Sequence, residues 1–360
     1  MVIEPQWQSP PSVVIVGQMF DASRTLQRVA AIKTMGCPLT CIPITPEGHN
    51  YETRPSLVTR IRYRLRVPGD PAGANQAILA AITGNTDILW LDAADMIRAD
   101  TLRAVKQKNP ALSIVWYSED DMMNPRLRTR WLEAAMPHID LWVTTKSFNT
   151  DANEIPALGV RHMLFVNNSY APEIHRPYAI SPDDKIRYAA PVSFIGTYEE
   201  PRAKSVLHLA QSGYEVRVWG NGWDSMKSLH DKLKIEGRPA YNDEFAKVIA
   251  ASDINLCFLR HANRDLQTCR SIEIPGCAGF MAHERNPEIE GIFREGQEAV
   301  FFSNDNELSD ICATWLGKND QRRRVAEAAR QRVEELSMDH RANLTRVYNE
   351  LIRLGKVQGQ

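Results

Sequence analysis

The sequence of 360 residues is short of every feature that marks a special environment. No run approaches the ~20 consecutive apolar residues that a bilayer-spanning helix needs, which excludes an integral membrane segment. Residues 1–11 are acidic and polar, with no apolar core of signal-peptide length. Charge of one sign is missing too. Lys and Arg number 43 against 44 Asp and Glu, a net charge of -1. Such a balance advertises neither nucleic acid nor an anionic surface as a partner. The six cysteines are scattered and form no CxxC pair. That argues against a sulfur-held metal and for reduced thiols in a cytoplasmic protein. A full GxGxxG is absent, which disfavours a flavin or NAD dehydrogenase. There is no internal repeat and no low-complexity tract.

What is present is an alternation of short apolar runs and helical patterns, long enough for two α/β domains. Residues 12–17 are a continuous apolar run ended by Gly17, the pattern of a buried parallel strand. A helical pattern over 22–35 stops at Gly36, and 39–44 reads as the next strand. Helices are expected over 75–83 and 99–109, with strands at 87–92 and 113–117. The run Arg60-Ile61-Arg62-Tyr63-Arg64-Leu65-Arg66 alternates, so it reads as an extended segment with one cationic face. Its alternatives are a solvated edge or an acceptor or phosphate contact.

The strand at 113–117 runs into Ser118-Glu119-Asp120-Asp121. Ligands of open α/β sheets sit beyond the carboxyl ends of strands. Asp120 and Asp121 are therefore candidates for a catalytic base or a hydroxyl ligand. The competing reading is that one of them caps the turn at 122–125. A strand at 138–145, a helix running to Gly159 and a strand at 160–166 complete the first half. Residues 167–177 have turn composition and read as an interdomain linker, with His175 packing inside it. A polar insertion at 181–188 follows.

The second half opens with a strand at 192–197 that contains Gly196. Arg202 lies just beyond it at a helix start, with Lys204 as runner-up. A strand, a close-approach Gly and a cation are what a diphosphate cradle requires. Solvated helix charges are the alternative. The strand at 215–220 ends in Asn221-Gly222, and a helix begins near Tyr241. The strand at 253–259 leads through a loop to Asp265, to Thr268 as a helix N-cap, and to Arg270 and Glu273. Eight residues of helix leave Asp265 and Glu273 about 80° apart, so both reach one site only if Asp265 precedes the helix. Pro275 makes that helix short or kinked. The last helix, 341–354, presents Leu344, Val347, Tyr348 and Leu351 at helical spacing.

Asp265 and Glu273, with seven residues between them, resemble the acid-x7-Glu motif of retaining GT-B glycosyltransferases, with Asp where that motif usually carries Glu. The surrounding Thr268-x-Arg270-Ser271-x-Glu273-Ile274-x-x-Cys277-x-Gly279-Phe280 resembles the glycosyltransferase-like spore-maturation (CgeB-type) proteins. The resemblance is specific over residues 191–336. It implies two facing Rossmann-like domains with a cleft between them and a C-terminal helix crossing back to the first. The implied division is 1–170 on the acceptor side, a linker at 171–190, a nucleotide-sugar domain at 191–338, and the helix and tail at 339–360.

The implied function is transfer of a sugar from a nucleotide diphosphate sugar to an unknown acceptor, without a metal or a cofactor and with retention favoured. Asp265 is placed by resemblance near the transferred sugar. Glu273 accepts from ribose hydroxyls, Arg202 neutralises the diphosphate, and Thr268 and Arg270 add donors. Gly196, Asn221, Gly222 and Tyr241 complete the donor side. Gly17, Gln18 and Met19 are acceptor-side residues by position. A scaffold that binds a nucleotide or carbohydrate without transfer is the alternative, and a sugar-nucleotide epimerase a third reading.

Overall fold

The computed structural model describes residues 3–358, which form two compact units: 3–167 with 340–358, and Asn168–Asp339. Positions 1, 2, 359 and 360 of the expected division lie outside the described residues. In chain order the first unit contains β1 (Val13–Gly17), α1 (Arg24–Thr34), β2 (Leu39–Pro43), α2 (Leu57–Arg64), α3 (Ala74–Ala81), β3 (Ile88–Asp92), α4 (Ala99–Lys108), β4 (Ser113–Ser118), α5 (Arg130–Ala135), β5 (Leu141–Thr144) and β6 (Met163–Phe165). The second contains α6 (Pro182–Tyr188), β7 (Ala190–Ile195), α7 (Glu200–Gln211), β8 (Val216–Trp219), β9 (Leu233–Ile235), α8 (Asn242–Ala251) and β10 (Ser252–Cys257). It ends with α9 (Cys269–Gly276), β11 (Met281–Glu284), α10 (Pro287–Ile292), β12 (Val300–Phe302), α11 (Asp305–Trp315) and α12 (Asn319–Glu335). The chain then returns to the first unit as α13 (His340–Arg353).

Each unit is built on one parallel sheet of six strands. The first runs β2-β1-β3-β4-β5-β6 and the second β12-β11-β10-β7-β8-β9. The strand order reverses between β1 and β3 in one sheet and between β7 and β10 in the other. Those switch points open a crevice at the carboxyl ends of the strands. Strands β1, β3, β4 and β5 are buried along their whole length, which explains why they read as unbroken apolar runs. Helices cover both faces. On one face of the first sheet, Leu344, Val347, Tyr348 and Leu351 of α13 pack with Ile15, Ile32 and Trp90.

Four local expectations change. Residues 60–66 are mostly helical, in α2 up to Arg64, where alternation suggested an extended segment. Ser56 caps α2 by accepting from the Thr59 N–H, and none of the helix is buried, so no core-facing stripe announced it. The expected helix before Gly159 is two single 3-10 turns, Ser147–Thr150 and Ile155–Leu158. Pro156 and the polar residues between the turns prevent a longer run. The polar stretch 181–188 is helix α6, closed by a Ser181–Asp184 capping box. Strand β9 was not anticipated; it has three residues and sits at the edge of its sheet.

Candidate functional site

The carboxyl edge of the second sheet gathers most of the residues singled out for a donor. At the end of β7 the Gly196 N–H donates to the Trp219 carbonyl at 2.9 Å. The Gly196 carbonyl accepts from Trp223 Nε1 at 2.9 Å. The Asn221 carbonyl accepts from the Tyr198 N–H at 2.9 Å. Gly220 is the close-approach position, with φ +155°; a Cβ there would lie 1.9 Å from the Gly196 carbonyl oxygen. Gly222 adopts φ +85° beside Tyr198. The Gly220 N–H donates to the Arg238 carbonyl, which draws in the segment that ends at Tyr241, the N-cap of α8.

Arg202 and Lys204 part company. Lys204 is exposed on α7 and pairs with Glu200. Arg202, in the first turn, is buried. Its Nη1 donates to the Thr197 carbonyl at 3.2 Å and lies 3.5 Å from Glu199. The guanidinium sits 5.8 Å from the Phe194 ring centroid. Its Nε is buried with no hydrogen-bond partner. Burial lowers the Arg202 pKa more strongly than Glu199 raises it. The cation is therefore under-compensated by its own protein. Glu199 is shared with Arg260, whose Nε lies 3.2 Å away. Neither Glu199 nor Arg260 was singled out from the sequence, because their contact joins residues 61 positions apart.

Asp265 precedes α9, as the angular argument required. Its carboxylate accepts from the Asn263 side chain at 2.7 Å and from the Arg260 N–H at 3.3 Å. Thr268 is the N-cap of α9, and its N–H donates to Ser271 Oγ at 2.9 Å. Arg270 turns back toward β7. Its Nε donates to the Ile195 carbonyl at 3.2 Å, its guanidinium lies over the Phe245 ring, and it forms an ion pair with Glu273. Glu273 is buried between Arg270 and His175, whose Nε2 lies 3.6 Å from it. His175 Nδ1 accepts from the Ala171 N–H, so the Nε2 side carries the proton that faces Glu273. Pro275 falls in the last turn, and the helix is eight residues long.

The first unit places its candidates less uniformly. Gly17 ends β1 against Thr25 and Asp92, where a Cβ would come within 2.7 Å of the threonine. Gln18 lines a cavity of about 800 Å³ with Ile44, Tyr51, Tyr63 and Met96. Met19 packs on the core. Asp121 is buried in the turn after β4, accepting from Asn149 Nδ2 at 2.9 Å and the Met123 N–H at 3.0 Å. Asp120 is half-buried in the same turn, and its N–H donates to Ser118 Oγ. The acid of this run that is held between two cations is Glu119, 2.9 Å from both Arg24 and Arg28. Burial pushes its pKa up, but Arg24 and Arg28 outweigh burial and hold it well below the usual carboxylate range.

Residues 202–345 match the family model described as glycosyl transferase-like. No curated protein sequence matches the chain. Among solved structures, a glycosyltransferase from Rickettsia africae aligns at 12% identity over 96% of this chain and 99% of its own, with TM-score 0.63. Anabaena HepE in complex with UDP and glucose aligns at 12% over 95% and 99%, TM-score 0.61. Sucrose-phosphate synthase from Thermosynechococcus elongatus aligns at 10% over 96% and 100%, TM-score 0.65. The fold is GT-B. In this GT-B chain the family match begins at Arg202 and takes in Gly220, Asp265 and all of α9.

Proposed function

We propose that this GT-B protein is a glycosyltransferase using a nucleoside diphosphate sugar as donor, with the donor at the carboxyl edge of the β7–β10 crevice. The observation that carries the reading is Arg202: a buried guanidinium inside the family match, with an orphaned Nε and too little counter-charge. An incoming diphosphate supplies the missing negative charge. As the sugar–phosphate bond breaks, charge grows on the β-phosphate, and a fixed cation favours that state over the bound substrate. The dipole of α9, positive at its Thr268 end, adds to the same field. A UDP complex of one structural neighbour supports a uridine donor as the first to try.

The finer roles follow the motif. Asp265 is assigned to the sugar and Glu273 to the ribose diol, which a carboxylate binds with both oxygens. The chain is assigned to the spore-maturation-type branch on the Thr268–Phe280 pattern. Transfer proceeds with retention and without an essential metal, the departing phosphate assisting the acceptor hydroxyl. A cytoplasmic location goes with six free cysteines.

The second reading is a scaffold that binds a nucleotide or carbohydrate without transfer, and it is favoured by Asp265, one methylene shorter than the Glu usual at that motif position. Glu273 is closed off by Arg270, and a ribose reaches it only if that ion pair opens. Calorimetry with UDP, GDP, ADP and dTDP on the wild type, Arg202→Ala and Glu273→Ala separates the cases. Binding of one diphosphate that both substitutions weaken supports the donor site. Turnover or slow hydrolysis of the matching sugar donor distinguishes an enzyme from a scaffold. No binding of any diphosphate at millimolar concentration would leave only the fold.

A further inference from the structure

Six of the nine large hydrophobic side chains exposed among the described residues lie between Tyr51 and Leu65. They centre on α2, a helix with no buried residue. At about 100° per residue, Leu57, Ile61 and Leu65 fall within about 80° of arc, and Val58 borders them. Val58, Thr59, Arg62 and Tyr63 occupy one side and line the cavity of about 800 Å³ described above. Leu57, Ile61 and Leu65 occupy the other, flanked by Arg60 and Arg64. Leu57 is 64% exposed and Leu65 58%. Arg60 and Arg64 form no ion pair among the described residues. The sequence between Glu52 and Asp70 holds five arginines and no acid. A short apolar stripe edged by unpaired arginines is costly to leave in water and has no counterpart within its own unit.

The geometry points to α2 as a peripheral docking helix for an anionic lipid bilayer. Leu57, Ile61 and Leu65 enter the boundary between headgroups and acyl chains, and Arg60 and Arg64 rest against lipid phosphates. The arginine stems add apolar contact while their heads stay at the headgroup level. A bilayer supplies an apolar layer under a negative rim, the arrangement this face complements on both counts. Eight residues give weak, reversible attachment, not insertion. The cavity on the other side of the same helix then opens next to the lipid surface. This attachment does not rest on the transfer reading: a chain without transferase activity would partition in the same way.

The test is co-sedimentation of the full chain with vesicles of phosphatidylcholine alone and of phosphatidylcholine mixed with phosphatidylglycerol, at low and high salt. The wild type is expected on the mixed vesicles only, and less as salt rises. Replacing Arg60 and Arg64 by Ala should lower the partition about five-fold per arginine. The pair Leu57→Ser with Ile61→Ser should abolish it. Both pairs lie on an exposed face, and unchanged thermal melts check that the fold persists; if the serine pair unfolds, the arginine pair and the salt series decide alone. Equal partition of the wild type and the arginine variant, binding to phosphatidylcholine alone, or no binding overturns the inference. So does light scattering that finds a wild-type dimer dissolved by the serine pair, which would assign the face to a second copy of the chain.

Discussion

Ser271 Oγ lies 2.7 Å from His283 Nε2, on a histidine wholly inside the second unit whose tautomer is fixed from its other ring nitrogen. His283 Nδ1 lies 2.6 Å from the Glu284 carbonyl oxygen, which can only accept. Nδ1 therefore carries the proton, and Nε2 accepts from the Ser271 hydroxyl. The Ser271 oxygen in turn accepts from the Thr268 N–H. One directed chain ties β11 to the N-terminus of α9, with no proton to spare. Burial holds the His283 pKa down to about 4, from an ordinary 6.5, against the opposing bond to Glu284.

Stability should record that shift. Above the ordinary value the histidine is neutral in both states, and the fold bears no cost. Below it the unfolded chain takes a proton that the folded chain refuses, so stability falls between pH 6.5 and 4. The loss is on the order of 3 kcal/mol at most. Half-buried Asp95, pushed up to about 7 by burial, acts with the opposite sign over much of the same range. The clean quantity is thus the difference between wild type and His283→Gln in urea midpoints. That difference should shrink as pH falls from 7 to 4.5. A constant difference would mean that His283 is not held neutral.

How far the sequence reaches is visible in the same region. Short buried strands such as β1 and β4 were legible because both of their faces are covered, so every residue is apolar. Arg202 was legible as a cation beyond a Gly-ended strand. Its burial was not, because burial depends on Phe194, Thr197 and Glu199 folding around it. Ser271 and His283 are twelve positions apart on different elements, and no local pattern joins them. Helix α2 was misread because its arginines alternate with apolar residues over 60–66. Only the Ser56 cap and the earlier Leu57-Val58 pair reveal the longer period. A helix that buries nothing leaves no stripe to read.

The close approach of two strand ends predicts a backbone-specific defect. Gly220 holds φ +155°, and its missing Cβ would meet the Gly196 carbonyl oxygen at 1.9 Å. That oxygen already accepts from Trp223 Nε1, so it has little freedom to move. Gly220→Ala should cost roughly 3 kcal/mol and displace the β7 turn on which Arg202 depends. Gly222→Ala, at φ +85° with its nearest atom, the Tyr198 Cβ, at 3.1 Å, should cost only about 1 kcal/mol. Urea denaturation of the two variants makes the comparison. Equal costs would show that φ alone matters and that the contact with Gly196 does not.

The first unit carries an ion pair almost without exposure, and its energetics should be strongly non-additive. Arg28 Nε lies 2.5 Å from Asp92 Oδ2, and Nη2 lies 2.7 Å from Oδ1, with both side chains almost without exposure. Nη1 reaches Glu119 at 2.9 Å, and the guanidinium lies over Tyr117. Thr25 Oγ1 and Trp90 Nε1 donate to the same aspartate at 3.2 and 3.3 Å. Removing Arg28 strands the Asp92 carboxylate where water does not reach, and removing Asp92 leaves the buried guanidinium with Glu119 as its remaining carboxylate. Arg28→Met and Asp92→Leu should each cost about 3–5 kcal/mol. The double variant strands neither of these two charges: Glu119 loses Arg28 but keeps Arg24, and weaker orphans are left on Thr25 and Trp90. It should fall short of the summed single costs by on the order of 2 kcal/mol. A double-mutant cycle in urea measures this coupling directly. Additive costs would mean that the guanidinium and the carboxylate are each satisfied independently of the other, and that this bidentate contact is not what holds α1 to the end of β3.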